Sequence, residues 1–258
     1  MHPYIHLFGI SFPSYGAMMM LGILVCGAIG CVRTSRAGLH WEDTLIIGAC
    51  AIGFALTGAA LLHLFVTYPL DQIIQLLTTF RVPEGMVFGL VFYGGLLGAI
   101  PGVFLGARIC KVPAVRFIIP LLPLVPIGHA FGRVGCFLAG CCYGRPTNHP
   151  IGVVYTNPIT DVPTDVALLP VQLFEAAALL LIAGVLLFLA ARKMRPAILI
   201  GAYALMYGLC RFVLERFRYD AVRGFYWGLS TSQWISIGLL VTAAVLFAKV
   251  LLERRRIT

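Results

Sequence analysis

The chain has 258 residues, of which 60% are hydrophobic and 11% charged, against roughly 25% charged in an ordinary soluble domain. That composition excludes a soluble globular protein. A net charge of +9 would suggest a nucleic-acid surface in a soluble chain, but in a membrane chain the positions of the basic residues matter more than their sum, and no nucleic-acid partner is expected.

A transmembrane helix needs about 20 mostly apolar residues, because the hydrocarbon core is about 30 Å thick and each residue rises 1.5 Å. Residues 1–13 have no basic region and no small-residue cleavage site, so a removable leader is not expected. Seven stretches then qualify, roughly 14–32, 44–66, 86–107, 117–138, 170–191, 197–217 and 232–252. The expected fold class is an all-α integral membrane protein with seven transmembrane helices in a single membrane domain over residues 1–258.

Orientation follows from Lys and Arg. Arg33, Arg36, Arg108, Lys111, Arg116, Arg192, Lys193, Arg195, Arg254, Arg255 and Arg256 fall in alternate gaps or in the tail, which is eleven of the nineteen basic residues. The loops of the other side hold Arg81, Arg145 and Arg223. This bias predicts a cytoplasmic C-terminus and, over seven crossings, an external N-terminus. The outer face would carry an amphipathic segment at about 67–85 and a long loop at about 143–169. In the first, Leu70, Ile73, Ile74, Leu77 and Phe80 recur at helical spacing. This is either a short helix lying in the membrane interface or one packed on its own protein.

The eight cysteines form no disulfide framework and no CxxC metal signature. Cys26, Cys31, Cys50, Cys110 and Cys210 sit in or beside apolar runs, where a thiol behaves as a small hydrophobe. Cys136, Cys141 and Cys142 lack a nearby second ligand set, so they are read as packing or a local disulfide. No metal and no cofactor is expected.

Four arginines stand where charge is costly. Arg216 and Arg218 lie at the end of the sixth stretch and are read as snorkelling to headgroups. Arg133 and Arg211 are more deeply embedded and need a partner or a polar cavity. At 100° per residue His129, Arg133, Cys136 and Gly140 lie within about 60° of one another, a polar stripe down the fourth span. Gly128, Gly132, Gly135 and Gly140 beside it either pack helices or admit a headgroup. Tyr207, Arg211, Glu215 and Arg218 give the sixth span a polar face, on which Arg211 and Glu215 can pair at i, i+4. Gln172 and Glu175 head the fifth span, and Tyr93 precedes Gly94 and Gly95 in the third. Because Arg forks match phosphate oxygens, the expected ligand is an anionic phospholipid entering from the bilayer.

Six pieces, in order and spacing, resemble the prolipoprotein diacylglyceryl transferase family of bacterial inner membranes: Tyr15-Gly16, Tyr93-Gly94-Gly95-Leu96-Leu97-Gly98, Gly132-Arg133-Val134-Gly135, Pro170-Val171-Gln172-Leu173-Phe174-Glu175, Arg211-Phe212-Val213-Leu214-Glu215 and Gln233-Trp234-Ile235-Ser236-Ile237. The resemblance implies a multi-pass enzyme that moves the diacylglyceryl group of phosphatidylglycerol to the lipobox cysteine of a preprolipoprotein and releases glycerol phosphate. It implies that Arg133 and Arg211 hold and polarise the phosphate, with Tyr93 and His129 as the other catalytic candidates. Tyr15, Gly94, Gly95, Gly132, Gly135, Gln172, Glu175 and Glu215 are then expected to bind substrate. Family members carry His at the position of Tyr93, Asn at Cys136 and Ala139, Glu at Cys141, and His at Leu169. They also have an Arg in the second span where this chain has none near Ala59. The base that takes the acceptor proton is therefore either Tyr93 or His129. Two further readings stay open: a family paralogue with another acceptor, and a lipid-binding or transport protein without chemistry. No inverted repeat favours a transporter and no GxSxG favours a serine hydrolase.

The charge bias generates a topological prediction. A reporter fused after Thr258 or inserted at Lys193 should read cytoplasmic, and one inserted within 147–164 should read external. An external C-terminus would overturn the orientation.

Overall fold

The computed structural model describes residues 2–7, 10–79, 82–83, 86, 89, 91–156, 158, 162–219 and 225–255. The chain is mostly helical, with nine α-helices and three short hairpins among the described residues. Five of these helices are long and apolar enough to cross a membrane, and a bent pair makes a sixth candidate. The fold divides into two compact units, residues 30–117 and residues 1–29 with 118–258.

In the first unit, the end of α1 (Ser14–Arg36) turns into α2 (Trp41–Thr67) through a buried hydroxyl pair, with Thr44 Oγ1 donating to Thr34 Oγ1 at 2.8 Å. Arg33 and Arg36 in the last turn of α1 and Glu42 and Asp43 in the first turn of α2 each suit the helix dipole there. The amphipathic segment is a helix, α3 (Leu70–Thr79), with Ile73 buried and Leu70, Ile74 and Leu77 exposed. Phe80 lies outside the described residues.

The third predicted span begins as a helix only at Phe92, giving α4 (Phe92–Ile109). It packs on α2 through Gly94, Gly98, Gly102 and Gly106, one glycine per turn. A Cβ on Gly102 would lie 2.6 Å from the Cys50 carbonyl oxygen, and one on Gly106 2.7 Å from Ile47 Cα. Gly94 and Gly98 meet the α2 backbone at Gly58 and Phe54 in the same way. Such a stripe of missing side chains lets two helix backbones approach closely, which is how helices associate where lipid removes the hydrophobic drive.

In the second unit, β1 (Tyr4–Leu7) and β2 (Ile10–Pro13) form a hairpin that leads into α1 at the fully buried Ser14. The fourth predicted span is not one helix. It is α5 (Val115–Leu121) and α6 (Leu124–Ala139), bent by 53°. Pro120, Pro123 and Pro126 cluster at the break, and each lacks the N–H that an unbroken helix would donate. Downstream, α6, α7 (Val171–Ala191), α8 (Pro196–Leu214) and α9 (Thr231–Arg255) pack in chain order. Between α6 and α7, Ala130, Ala176 and Leu179 form a buried cluster with Val134 and Tyr207 against it.

The 143–169 loop is folded. β3 (Val153–Val154) pairs with β4 (Ala167–Leu168), Pro146 bridges Leu168, and Gly144 bridges Arg218 beyond the 3-10 turn Glu215–Phe217 that ends α8. Tyr155, Val162 and Leu168 fill its core, with Phe137 and Tyr143 packed on them. Arg216 is exposed as expected, but Arg218 is only 8% exposed. The bridge to Gly144 draws its backbone into the folded loop, so snorkelling does not describe Arg218. β5 (Phe225–Tyr226) and β6 (Leu229–Ser230) make a hairpin that leads into α9.

The α2–α4 seam carries a stability prediction. Gly102→Val should destabilise the detergent-solubilised protein by about 1–3 kcal/mol through overpacking against the α2 backbone. Gly53→Ala on α2, where nothing lies within 4 Å of an added Cβ, should be neutral or stabilising by about 0.5–1 kcal/mol. Unfolding curves of the two variants check the difference.

Candidate active site

Glu175, in the second turn of α7, is 0% exposed, and a carboxylate so placed must be paired. Its Oε1 lies 3.1 Å from Arg133 Nη2 of α6, and its Oε2 lies 3.4 Å from Arg211 Nη1 of α8. The Tyr207 hydroxyl donates to Oε1 at 3.5 Å, and His129 Nε2 stands 3.9 Å from the same oxygen. The polar stripe of α6 and the polar face of α8 thus converge on one carboxylate from α7. The His129 ring also meets the edge of Tyr207, with centroids 5.4 Å apart.

Arg211 is the more heavily engaged of the two arginines. Its Nη2 lies 2.7 Å from Glu215 Oε2, the i, i+4 pair expected from the sequence, and donates to Ser232 Oγ at 3.1 Å. Glu215 in turn accepts from Ser230 Oγ at 2.9 Å. Ser230 caps α9 reciprocally, because its N–H donates to Gln233 Oε1 at 3.0 Å while Gln233 N–H donates to Ser230 Oγ at 3.2 Å. This Ser-x-x-Gln capping box fixes the start of α9 against the site. Ser230 and Ser232 are not among the sequence candidates, and Tyr207 enters there only as part of the polar face of the sixth span. The capping spacing was visible in the sequence, whereas the link from its serines to Arg211 and Glu215 was not.

Arg133 differs. One terminal nitrogen meets Glu175, while its buried Nε has no hydrogen-bond partner among the described residues. Buried donors are nearly always satisfied, so this Nε calls for an acceptor that the described residues do not supply.

The remaining candidates divide. A Cβ on Gly135 would lie 3.2 Å from Tyr15 Cδ2, and one on Gly132 3.2 Å from Met19 Sδ, so both glycines let α1 approach α6. Tyr15 is half exposed at that crossing. Gly94 lies in the α2 seam, and Gly95 sits beside it, where a Cβ would be 3.4 Å from the Ala55 carbonyl oxygen. Gln172 does not join the arginine cluster. Its Nε2 donates to the Cys141 carbonyl at 2.6 Å and its Oε1 accepts from Tyr155 at 3.1 Å, tying α7 to the chain that leaves α6. Burial pushes the Tyr155 phenol above its usual pKa, so it stays a donor. The Tyr93 side chain lies outside the described residues.

A multi-pass helical protein with a buried Arg–Glu–Arg cluster and an unpaired guanidinium donor has the features of a membrane enzyme acting on an anionic lipid. Residues 3–249 match the family model for prolipoprotein diacylglyceryl transferase, and the chain belongs to that family. It is 31% identical to the phosphatidylglycerol-prolipoprotein diacylglyceryl transferase of Clostridium tetani, over 93% of this chain and 94% of that protein. Enzymes of the same name from Teredinibacter turnerae and Dehalococcoides mccartyi are 34% and 30% identical, each over 90% of this chain and over 81% and 87% of their own lengths.

The buried carboxylate generates the prediction for this site. Glu175→Ala leaves two guanidinium groups without their shared counter-charge and should cost about 3–5 kcal/mol. Glu175→Gln retains an acceptor and should cost less. Unfolding of the purified variants measures both, and a Glu175→Ala protein as stable as the parent would contradict the pairing.

Proposed function

We propose that this chain transfers the diacylglyceryl group of phosphatidylglycerol to the lipobox cysteine of preprolipoproteins in the bacterial cytoplasmic membrane. The family and the names of the relatives support the reaction. The observation that carries it to particular residues is the Arg133 Nε, without a partner among the described residues, beside a paired Nη2.

In this reaction the acceptor sulfur forms a bond to the glyceryl carbon, and the bond from that carbon to the phosphate oxygen breaks. The oxygen keeps the electron pair and departs with glycerol phosphate. A thiolate and a phosphodiester, one negative charge each, become a neutral thioether and a doubly charged monoester, so charge moves from sulfur to phosphate. Arg133 stabilises that developing charge through Nε–H and a terminal N–H, the planar two-point contact that a guanidinium provides. Arg211, held by Glu175, Glu215 and Ser232, supplies the second positive charge. Glu175 fixes both forks, and Gly132 and Gly135 set the α1–α6 approach that Tyr15 borders. Tyr93 or His129 takes the acceptor proton, and Gly94 and Gly95 shape the backbone around Tyr93. Seven crossings, with the bent α5–α6 pair counted as one and the N-terminus external, would put the ends of α6 and α8 on the side where secreted acceptors arrive.

The test is release of glycerol phosphate from labelled phosphatidylglycerol by the purified protein, with and without a lipobox peptide. Peptide-dependent release is expected, and binding of the lipid without release would sink the assignment. Arg133→Lys should lose most turnover, because an ammonium cannot make the planar contact, whereas the exposed Arg216→Lys should be mild. In the same assay, the true base among Tyr93→Phe and His129→Ala should show the loss of about 10²- to 10⁴-fold typical of general-base removal.

A further inference from the structure

The Sγ atoms of Cys136, Cys141 and Cys142 all lie within 4.8 Å of one another. Spacings of five and six residues do not share a helix face, so the helix end must bring these thiols together. Gly140, at φ +75°, closes α6 with two backbone bonds, Cys141 N–H to the Cys136 carbonyl at 3.0 Å and Gly140 N–H to the Phe137 carbonyl at 3.2 Å. This is the Schellman arrangement, in which the residue after the glycine folds over the residue four positions before it. Here those two residues are Cys141 and Cys136. Cys142 then adopts φ +61°, a left-handed conformation that non-glycine residues rarely take. Gln172 holds the turn through the Cys141 carbonyl, and Tyr155 holds Gln172.

The result is three thiols organised by backbone geometry, one buried and two half-buried. Ligand sulfurs at about 2.3 Å from a zinc ion stand roughly 3.8 Å apart, which small side-chain rotations reach from the separations found here. A disulfide needs about 2.05 Å and would leave the third thiol unused. The expectation that this trio only packs or forms a local disulfide rested on the want of a second ligand set, but a three-ligand site with an open position needs none. Three thiolates and Zn²⁺ carry one negative charge.

We propose that Cys136, Cys141 and Cys142 form a three-thiolate zinc site whose fourth position takes the sulfur of the acceptor cysteine. The second half rests on the transferase reading above. Each protein thiol releases its proton to water on binding the ion, and the acceptor thiol gives its proton to the base of the proposed reaction as it coordinates, because a coordinating thiol is deprotonated outright. No electron is transferred. When the acceptor sulfur bonds to the glyceryl carbon it leaves zinc as a neutral thioether, and the position reopens.

The experiment uses the reduced, metal-free, full-length protein in detergent, titrated with Co²⁺ as a spectroscopic probe and then with Zn²⁺. Thiolate-to-cobalt charge-transfer absorption should saturate at one equivalent and vanish as zinc displaces cobalt. Cys142→Ser should weaken binding at least tenfold, and Cys50→Ser on α2 should not change it. A lipobox peptide should alter the cobalt ligand-field bands, whereas the same peptide with Ser for Cys should not. Absence of the charge-transfer band in the wild-type protein overturns the site without reliance on any variant, and so does equal affinity in Cys142→Ser. A cobalt spectrum indifferent to the peptide overturns the acceptor's coordination. A peptide-sensitive spectrum without glycerol phosphate release would sink the transferase reading and leave the metal site standing.

Discussion

The Glu175 carboxylate, fully buried, is the constraint on which the second unit depends. Its pairing to Arg133 and Arg211 joins α6, α7 and α8, and Arg211 carries the network on to Glu215 and to Ser232 of α9. Ion pairs taken out of water repay their desolvation only when geometry and hydrogen bonds are complete, so such a network adds little net stability over an apolar core. Its consequence is registry. Sliding α7 along α6 by one turn, about 5.4 Å, would separate a buried carboxylate from both guanidinium groups at once. The apolar contacts of Leu179, Ala130 and Ala176 are far less particular about such a slip.

How much of this was legible in sequence depends on the range of each interaction. The pairing of Arg211 with Glu215 was readable because residues four apart on a helix are neighbours by geometry alone. The stripe of His129 and Arg133 was readable for the same reason, but the partner of that stripe was not. Periodicity says which side chains share a face and nothing about which distant face they meet. Gln172 and Glu175 head the same span and are both expected to bind substrate, yet the first is consumed by the Cys141 carbonyl and Tyr155 and the second by the arginines. The bend between α5 and α6 was missed because a hydropathy window averages across prolines that permit, but do not require, a break. The glycine seam of α4 was half seen. Gly94 and Gly95 were noted for their neighbour Tyr93, while the repeat that continues through Gly98, Gly102 and Gly106 belongs to packing.

The cysteines show how local backbone geometry can override helical spacing. On an unbroken helix residues 136, 141 and 142 would splay around the axis. A left-handed glycine at 140 folds the chain back, and the left-handed Cys142 keeps it there. The 140–142 turn is held from outside by α7 through Gln172 and supported by the core around Tyr155, Val162 and Leu168. A loop that hydropathy leaves blank is therefore the element that shapes the end of the helix bearing Arg133.

Charge arithmetic limits how an anionic lipid can be held. With all four groups ionised, Arg133 and Arg211 are balanced by Glu175 and Glu215, so the cluster offers an incoming phosphate no net positive charge. Non-directional attraction is correspondingly weak, and recognition must come from donors aimed at acceptors. Arg211 has both terminal nitrogens engaged by Glu175, Glu215 and Ser232, whereas the Arg133 Nε has no partner among the described residues. The two arginines are thus unequal. In the proposed reaction Arg133 would contact the phosphate, and Arg211, paired to the same carboxylate as Arg133, would hold that carboxylate while adding its field to the site. As the ester bond breaks and the phosphate gains a second negative charge, an oriented guanidinium already in position strengthens its bond without reorganising, which is the condition under which electrostatic stabilisation favours the transition state over the bound substrate.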